Sequence, residues 1–149
     1  MFEAILALLL AIAPTAAPST TPAPQQLPTV SVHAPNATLT LQVAQTDAER
    51  ELGLMSVTAL APHTGMLFVF DADQGVEFWM KDTLVPLDMV FVAPDGRVRQ
   101  VAANVPVVAP DTPDDAIPRR MGTAKYVIEL AAGEAVKDGI HVGTVLTGL

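Results

Sequence analysis

The sequence predicts a mainly β fold, an antiparallel sandwich or partly closed barrel with one or two short helices. Two observations point there. Short runs of apolar residues alternate with polar ones at the two-residue period of half-buried strands, as in Leu39, Leu41 and Val43 set against Thr38, Thr40 and Gln42. Helical periodicity, in contrast, is confined to brief segments, too little for a doubly wound α/β fold. A hydrophobic fraction of 50% with 16% charged residues is compatible with a packed core and argues against overall disorder.

In chain order, residues 1–19 read as a signal peptide or N-terminal anchor. Ala4 to Ala13 is an apolar run shorter than the ~20 residues that span a bilayer, and Ala17-Pro18-Ser19 offers a small-x-small cleavage site before Thr20. Residues 20–36 read as a Pro-rich linker, and 37–149 as one β domain. After the first strand, Thr46-Asp47-Ala48-Glu49 carries the hydroxyl and the carboxylate that can satisfy the first free amides of a helix. Ala48, Leu52 and Met55 then lie on one helical face.

Gly65 to Phe70 is apolar on both alternating faces and predicts a central strand, while Asp71 to Gly75 is polar and turn-like. Val76, Phe78 and Met80 then point one way, and Glu77, Trp79 and Lys81 the other. Leu87, Met89 and Phe91 resume after Pro86, with Asp88, Val90 and Val92 on the opposite face. Pro94-Asp95-Gly96 turns the chain into a returning strand over Arg97 to Ala102. Ala103 to Lys125, with four prolines, predicts a long loop. A strand over Tyr126 to Ala131 with Glu129 in its middle, a short helix from Gly133 closed by Gly139, and a last strand over Thr144 to Leu146 complete the domain.

Sixteen acids against eight bases give a net charge of −8, and every base lies at or after Arg50. With no basic tail or stripe, nucleic acid is not an expected partner. The absence of Cys removes disulfides, thiolate nucleophiles and thiolate metal sites.

The candidate ligand-binding residues are Glu77, Trp79, Lys81, Asp82 and Asp88. They offer an aromatic platform flanked by acceptors and a donor, suited to a sugar ring or a polar peptide if the segments around Pro86 form a hairpin. The structural reading of the same residues is a Trp anchoring the core margin, with Lys81 tied to a carboxylate such as Asp82. The methionines at 55, 66, 80, 89 and 121 are soft donors suited to copper(I), yet three of them sit at core-facing strand positions where Met fills space. Asp111, Asp114 and Asp115 form an acidic loop without the spacing of a calcium loop. Glu129 requires a partner if buried, and Arg50 is the expected one. No catalytic set is read, since His33, His63 and His141 are scattered and no orienting Ser and His arrangement emerges from spacing. No metal ligand set and no cofactor is expected.

The motifs Arg50-Glu51-Leu52-Gly53-Leu54-Met55, Gly65 to Phe70, Phe78-Trp79-Met80-Lys81, Pro86-Leu87-Asp88, Asp95-Gly96 and Val127-Ile128-Glu129-Leu130 with Gly133 resemble an uncharacterised prokaryotic family of small, often exported domains. The resemblance runs from about Leu39 to Leu146 and implies a compact, jelly-roll-like β domain with no established activity or cofactor. Asp82 stands where that family usually has Asn, and Val57 where it often has Arg. The expectation is therefore a periplasmic or secreted, non-enzymatic binding or accessory module recognising an envelope ligand or protein, with no transmembrane segment beyond an uncleaved leader. The alternatives are a small hydrolase acting on envelope carbohydrate or peptide, and a copper-binding module using Met and Trp.

Overall fold

The computed structural model describes residues 21–149; the leader expected over residues 1–19 lies outside the described residues. Six strands form one mixed, open sheet in the order β1-β2-β3-β6-β4-β5. They are β1 (Thr29–His33), β2 (Thr38–Ala44), β3 (Thr64–Phe78), β4 (Leu87–Val92), β5 (Val98–Val105) and β6 (Arg120–Ala131). Two short helices, α1 (Asp47–Leu52) and α2 (Glu134–Lys137), complete the fold. Among the described residues no helix is long and apolar enough to cross a membrane.

The mainly β prediction holds, with one pairing of the other sense. β2 and β3 run parallel, because α1 and the segment after it carry the chain back to the starting end of the sheet, the crossover that a parallel pair requires. Thr46 caps α1 by accepting from the amide of Glu49 at 3.2 Å, while the Glu49 carboxylate accepts from the amide of Thr46 at 3.0 Å.

Several boundaries differ from the sequence reading. β1 lies inside the expected linker and pairs with β2 along its whole length; Val30 and Val32 alternate with Thr29, Ser31 and His33, a period masked by Pro28 and Pro35 on either side. The residues before it are docked as well: the Gln25 side-chain amide donates to the carbonyls of Glu49 and Gly53, both at 2.9 Å, which ties this segment to the end of α1. Asp71 to Gly75 is not a turn but an exposed stretch of the single long β3, with pairing to β6 irregular between Val69 and Gln74. β5 extends to Val105 and β6 begins at Arg120, so the long loop is shorter than its proline content suggests. Val145 and Thr147 make isolated bridges to Arg97 and His33 instead of a last strand. The β4 to β5 hairpin forms as expected, Gly96 taking a φ of +84° in its turn. No hairpin joins β3 to β4, because β6 lies between them.

Both faces of the sheet are covered. One carries Met66, Phe68, Phe78, Met89, Phe91 and Val127, with Phe78 edge-on to Phe68 at 4.9 Å between ring centroids. The other carries Leu39, Leu41, Leu67, Val90, Ile128 and Leu130, with Ala135 of α2 packed on them. Strand alternation thus sorts two apolar layers rather than a core and a wet surface.

Candidate functional site

On the Phe68 and Phe78 face a cavity of about 210 Å³ opens beside the end of α1. Leu52, Gly53 and Leu54 form one wall, the rings of Phe68, Phe70 and Phe78 another, and Glu77, Trp79 and Arg50 stand at its margin. Glu129 of the central strand β6 lines it. The backbone register sets Glu129 directly between Met66 of β3 and Met89 of β4, and cross-strand partners share a face, so its carboxyl is flanked by two thioether side chains.

Glu129 is 4% exposed, and among the described residues its carboxyl makes no hydrogen bond and no ion pair. Arg50, its expected partner, donates elsewhere: to the carbonyl of Val69 at 2.7 Å, and to the Gln45 carbonyl and the Asp47 carboxylate. Burial alone pushes the Glu129 carboxyl up to about 8 from its ordinary 4.5. At neutral pH it is a neutral acid, able to donate one hydrogen bond into the cavity. Its isolation in an apolar strand was the one sequence signal for it.

The rim is built on Trp79. The Arg119 guanidinium lies 4.0 Å and the Lys81 ammonium 5.1 Å from the Trp79 ring centroid, both within cation–π range. Arg119 also approaches Glu77 at 3.6 Å and donates to the carbonyl of Asp114 at 3.1 Å, while Lys81 meets the Asp114 carboxylate at 2.7 Å. These contacts pin the 106–119 loop against Trp79. The pairs are solvent-exposed, so each contributes ~0–1 kcal/mol to stability; their effect is to orient the indole, which is half-buried and neither enclosed by core residues nor free on every side.

Glu77, Trp79 and Lys81 are therefore brought together, with Arg119 and Asp114, which the sequence reading had not joined to them. Asp82 and Asp88 are not part of this set. Asp82 adopts a φ of +50°, and its carbonyl accepts from the amide of Ser56 at 2.9 Å. It shapes a turn, and Lys81 pairs with Asp114 instead. A positive φ is the region that Asn tolerates better than most residues. Asp88, 1% exposed, accepts from the amide of Asn104 at 2.8 Å through one oxygen, and from those of Gly133 and Ala135 at 2.9 and 3.0 Å through the other. It fastens the start of α2 to the sheet on the face away from Met89. Met66, Met80 and Met89 pack in the core and Met121 is exposed on β6, so the methionines are not gathered at the surface around Trp79.

Comparison with known proteins agrees with this architecture. Residues 29–148 match the model of the family DUF192, described as "Uncharacterized ACR". No curated protein matches the chain. A solved structure from Sinorhizobium meliloti 1021, described as a "putative transcription regulator", is 35% identical with a TM-score of 0.69, over 80% of this chain and 92% of that one. A protein of unknown function from Novosphingobium aromaticivorans DSM 12444 is 30% identical with a TM-score of 0.68, over 92% of this chain and 94% of that one.

Proposed function

The chain belongs to the DUF192 family, and we propose that it is a non-enzymatic binding module of the cell envelope that takes one small polar group, a sugar ring or the polar end of a peptide side chain, into the Glu129 cavity. The observation that carries this reading is the carboxyl of a buried Glu, without a hydrogen-bond partner among the described residues, lining a cavity rimmed by the only Trp of the chain. Binding sites for drug-sized ligands run roughly 300–1,000 Å³, so a cavity of about 210 Å³ suits a single ring or side-chain terminus rather than an extended ligand. The neutral Glu129 donates to a carbonyl or hydroxyl oxygen, the Phe rings cover an apolar edge, and Trp79 closes the mouth. The envelope location rests on the apolar Ala4 to Ala13 run followed by prolines. The description of the S. meliloti relative as a transcription regulator is not extended to this chain, whose net charge of −8 disfavours phosphate backbones.

Trp79 fluorescence tests the reading directly. Titration with hexoses, N-acetylhexosamines and short peptides is expected to give a saturable change with one class, abolished in Glu129→Ala. Affinity is expected to fall as pH rises through about 8, where the donor proton is lost, and Glu129→Gln removes that pH dependence. A panel in which no compound perturbs Trp79, or an unaltered pH dependence in Glu129→Gln, overturns the proposal.

One observation also favours the alternative of a small hydrolase acting on envelope carbohydrate or peptide. A carboxyl held protonated at neutral pH is what a general acid requires, and Glu77 supplies a second carboxyl at the same cavity. Turnover of nitrophenyl glycosides or peptide anilides, lost in Glu129→Gln, would select this reading over simple binding.

A further inference from the structure

A second cluster lies on the opposite side of the sheet, where α2 packs on the Leu39 and Val90 layer. His63, in the loop before β3, meets Glu134 and Asp138, which sit one turn apart at the two ends of α2. The His63 ring Nδ1 is 2.7 Å from Asp138 Oδ1 and 4.0 Å from Glu134 Oε2, and one ligand atom from each residue falls within 4.8 Å of the others. Glu134 is 6% exposed and Asp138 fully buried, while the His63 side chain is half-exposed and leaves one side of the cluster open to solvent.

The decisive atom is Asp138 Oδ2, which is buried and, among the described residues, has no hydrogen-bond donor. A carboxylate oxygen withdrawn from water without a partner is costly. Its sister oxygen already faces the imidazole, and both oxygens of one carboxylate can share one cation. Glu134 is similarly poised: Lys137 holds its Oε1 at 2.7 Å, while Oε2 turns toward His63.

We propose that His63, Glu134 and Asp138 form a binding site for a single divalent transition-metal ion, zinc being the best match to one imidazole nitrogen and two carboxylates. Four-coordinate zinc with bonds of 2.0–2.1 Å sets its ligand atoms about 3.3 Å apart, so the His63 to Asp138 contact opens slightly and Glu134 Oε2 moves inward. The fourth position faces solvent beside His63. The ion ties α2 to the loop that leads into β3, independently of the Glu129 cavity.

The test uses the tag-free full-length chain, stripped with a chelator and titrated with ZnCl₂ by calorimetry at pH 7. One equivalent is expected to bind. His63→Ala and Asp138→Asn each weaken binding by at least tenfold, whereas His33→Ala and His141→Ala leave it unchanged. Far-UV circular dichroism of the metal-free variants establishes that they fold. Cobalt(II) gives a readout on the unaltered chain, since a tetrahedral site produces intense visible bands and a solvated surface ion does not. Zinc affinity equal in the parent and His63→Ala, or absence of both calorimetric binding and the cobalt bands, overturns the proposal and leaves the cluster as a hydrogen-bonded tie.

Discussion

Replacing Glu129 by Gln keeps the shape of the side chain and removes its titration, which isolates the energetics of the cavity. In the folded chain the Glu129 carboxyl loses its proton near 8, against 4.5 for an ordinary Glu. Between those values the folded state holds a proton that the unfolded state has released, so the contribution of Glu129 to stability falls as pH rises. The slope is about 1.4 kcal/mol per pH unit, and across the whole window the loss accumulates to roughly 5 kcal/mol. Below 4.5 and above about 8 Glu129 adds no further pH dependence. Urea unfolding followed by Trp79 fluorescence at pH 5, 6, 7, 8 and 9 measures this for the parent and the variant side by side. The difference between the two chains cancels every other titrating group they share. Glu129→Gln is expected to gain on the parent steadily from pH 5 to 8 and to level off at pH 9. Stability curves that run parallel across this range would refute the reasoning, because they require a Glu129 that is solvated or paired.

Three further substitutions probe how the site is supported. Asp88→Asn replaces one of two oxygens that accept three backbone amides with an NH₂ group, and should cost about 3 kcal/mol in chemical denaturation; ligand-induced Trp79 changes should persist, since Asp88 is not in the cavity wall. Gly122→Ala places a methyl 2.6 Å from the ring of the fully buried Phe91 and should destabilise by ~1–3 kcal/mol, seen as a lowered thermal midpoint. Gln25→Ala removes the donor to two carbonyls at the end of α1 and should lower stability by roughly 1 kcal/mol. Hydrogen exchange at the amides of α1 should report the same loss locally.

Much of the fold was legible from alternation alone, and its failures share one physical origin. Periodicity says that Leu87, Met89 and Phe91 face one way and Asp88, Val90 and Val92 the other, but not what lies beyond each face. Here α2 and the residues after it, Ile140, Leu146 and Leu149, cover the second face, so Asp88 is a buried acceptor rather than part of an exposed binding edge. β1 alternates as clearly as β2, yet flanking prolines suggested a spacer. The first half of β6 was illegible for a different reason. Residues 120–125 bury only Ala124 and lie against the exposed end of β3, so strand pairing rather than burial defines them. Of the expected site, Glu77, Trp79 and Lys81 lie close together because one short segment carries them. Arg119 and Asp114 were missed because contacts more than 30 residues apart leave no mark in spacing.

Glu129 invites the opposite inference, from cost to purpose. A Glu held between Met66 and Met89, with no donor, acceptor or counter-ion among the described residues, forgoes the several kcal/mol that ionisation would regain in water. A Leu or Met at that position would fill the volume, extend the aromatic and thioether layer around it and cost nothing in desolvation. Packing therefore gives no reason for a carboxyl there, and among the described residues no hydrogen bond supplies one. What a carboxyl offers that Leu does not is a proton or a charge presented to whatever occupies the cavity. Where a chain breaks the burial rule without a structural return, the return is sought in function. Asp88 is the contrasting case: equally buried, but with its oxygens matched by three amides, so its burial is explained by the fold itself. The contrast between these two carboxyls, one matched by amides and one without a partner among the described residues, supports the proposed role of the Glu129 cavity and makes Asp88 a structural tie.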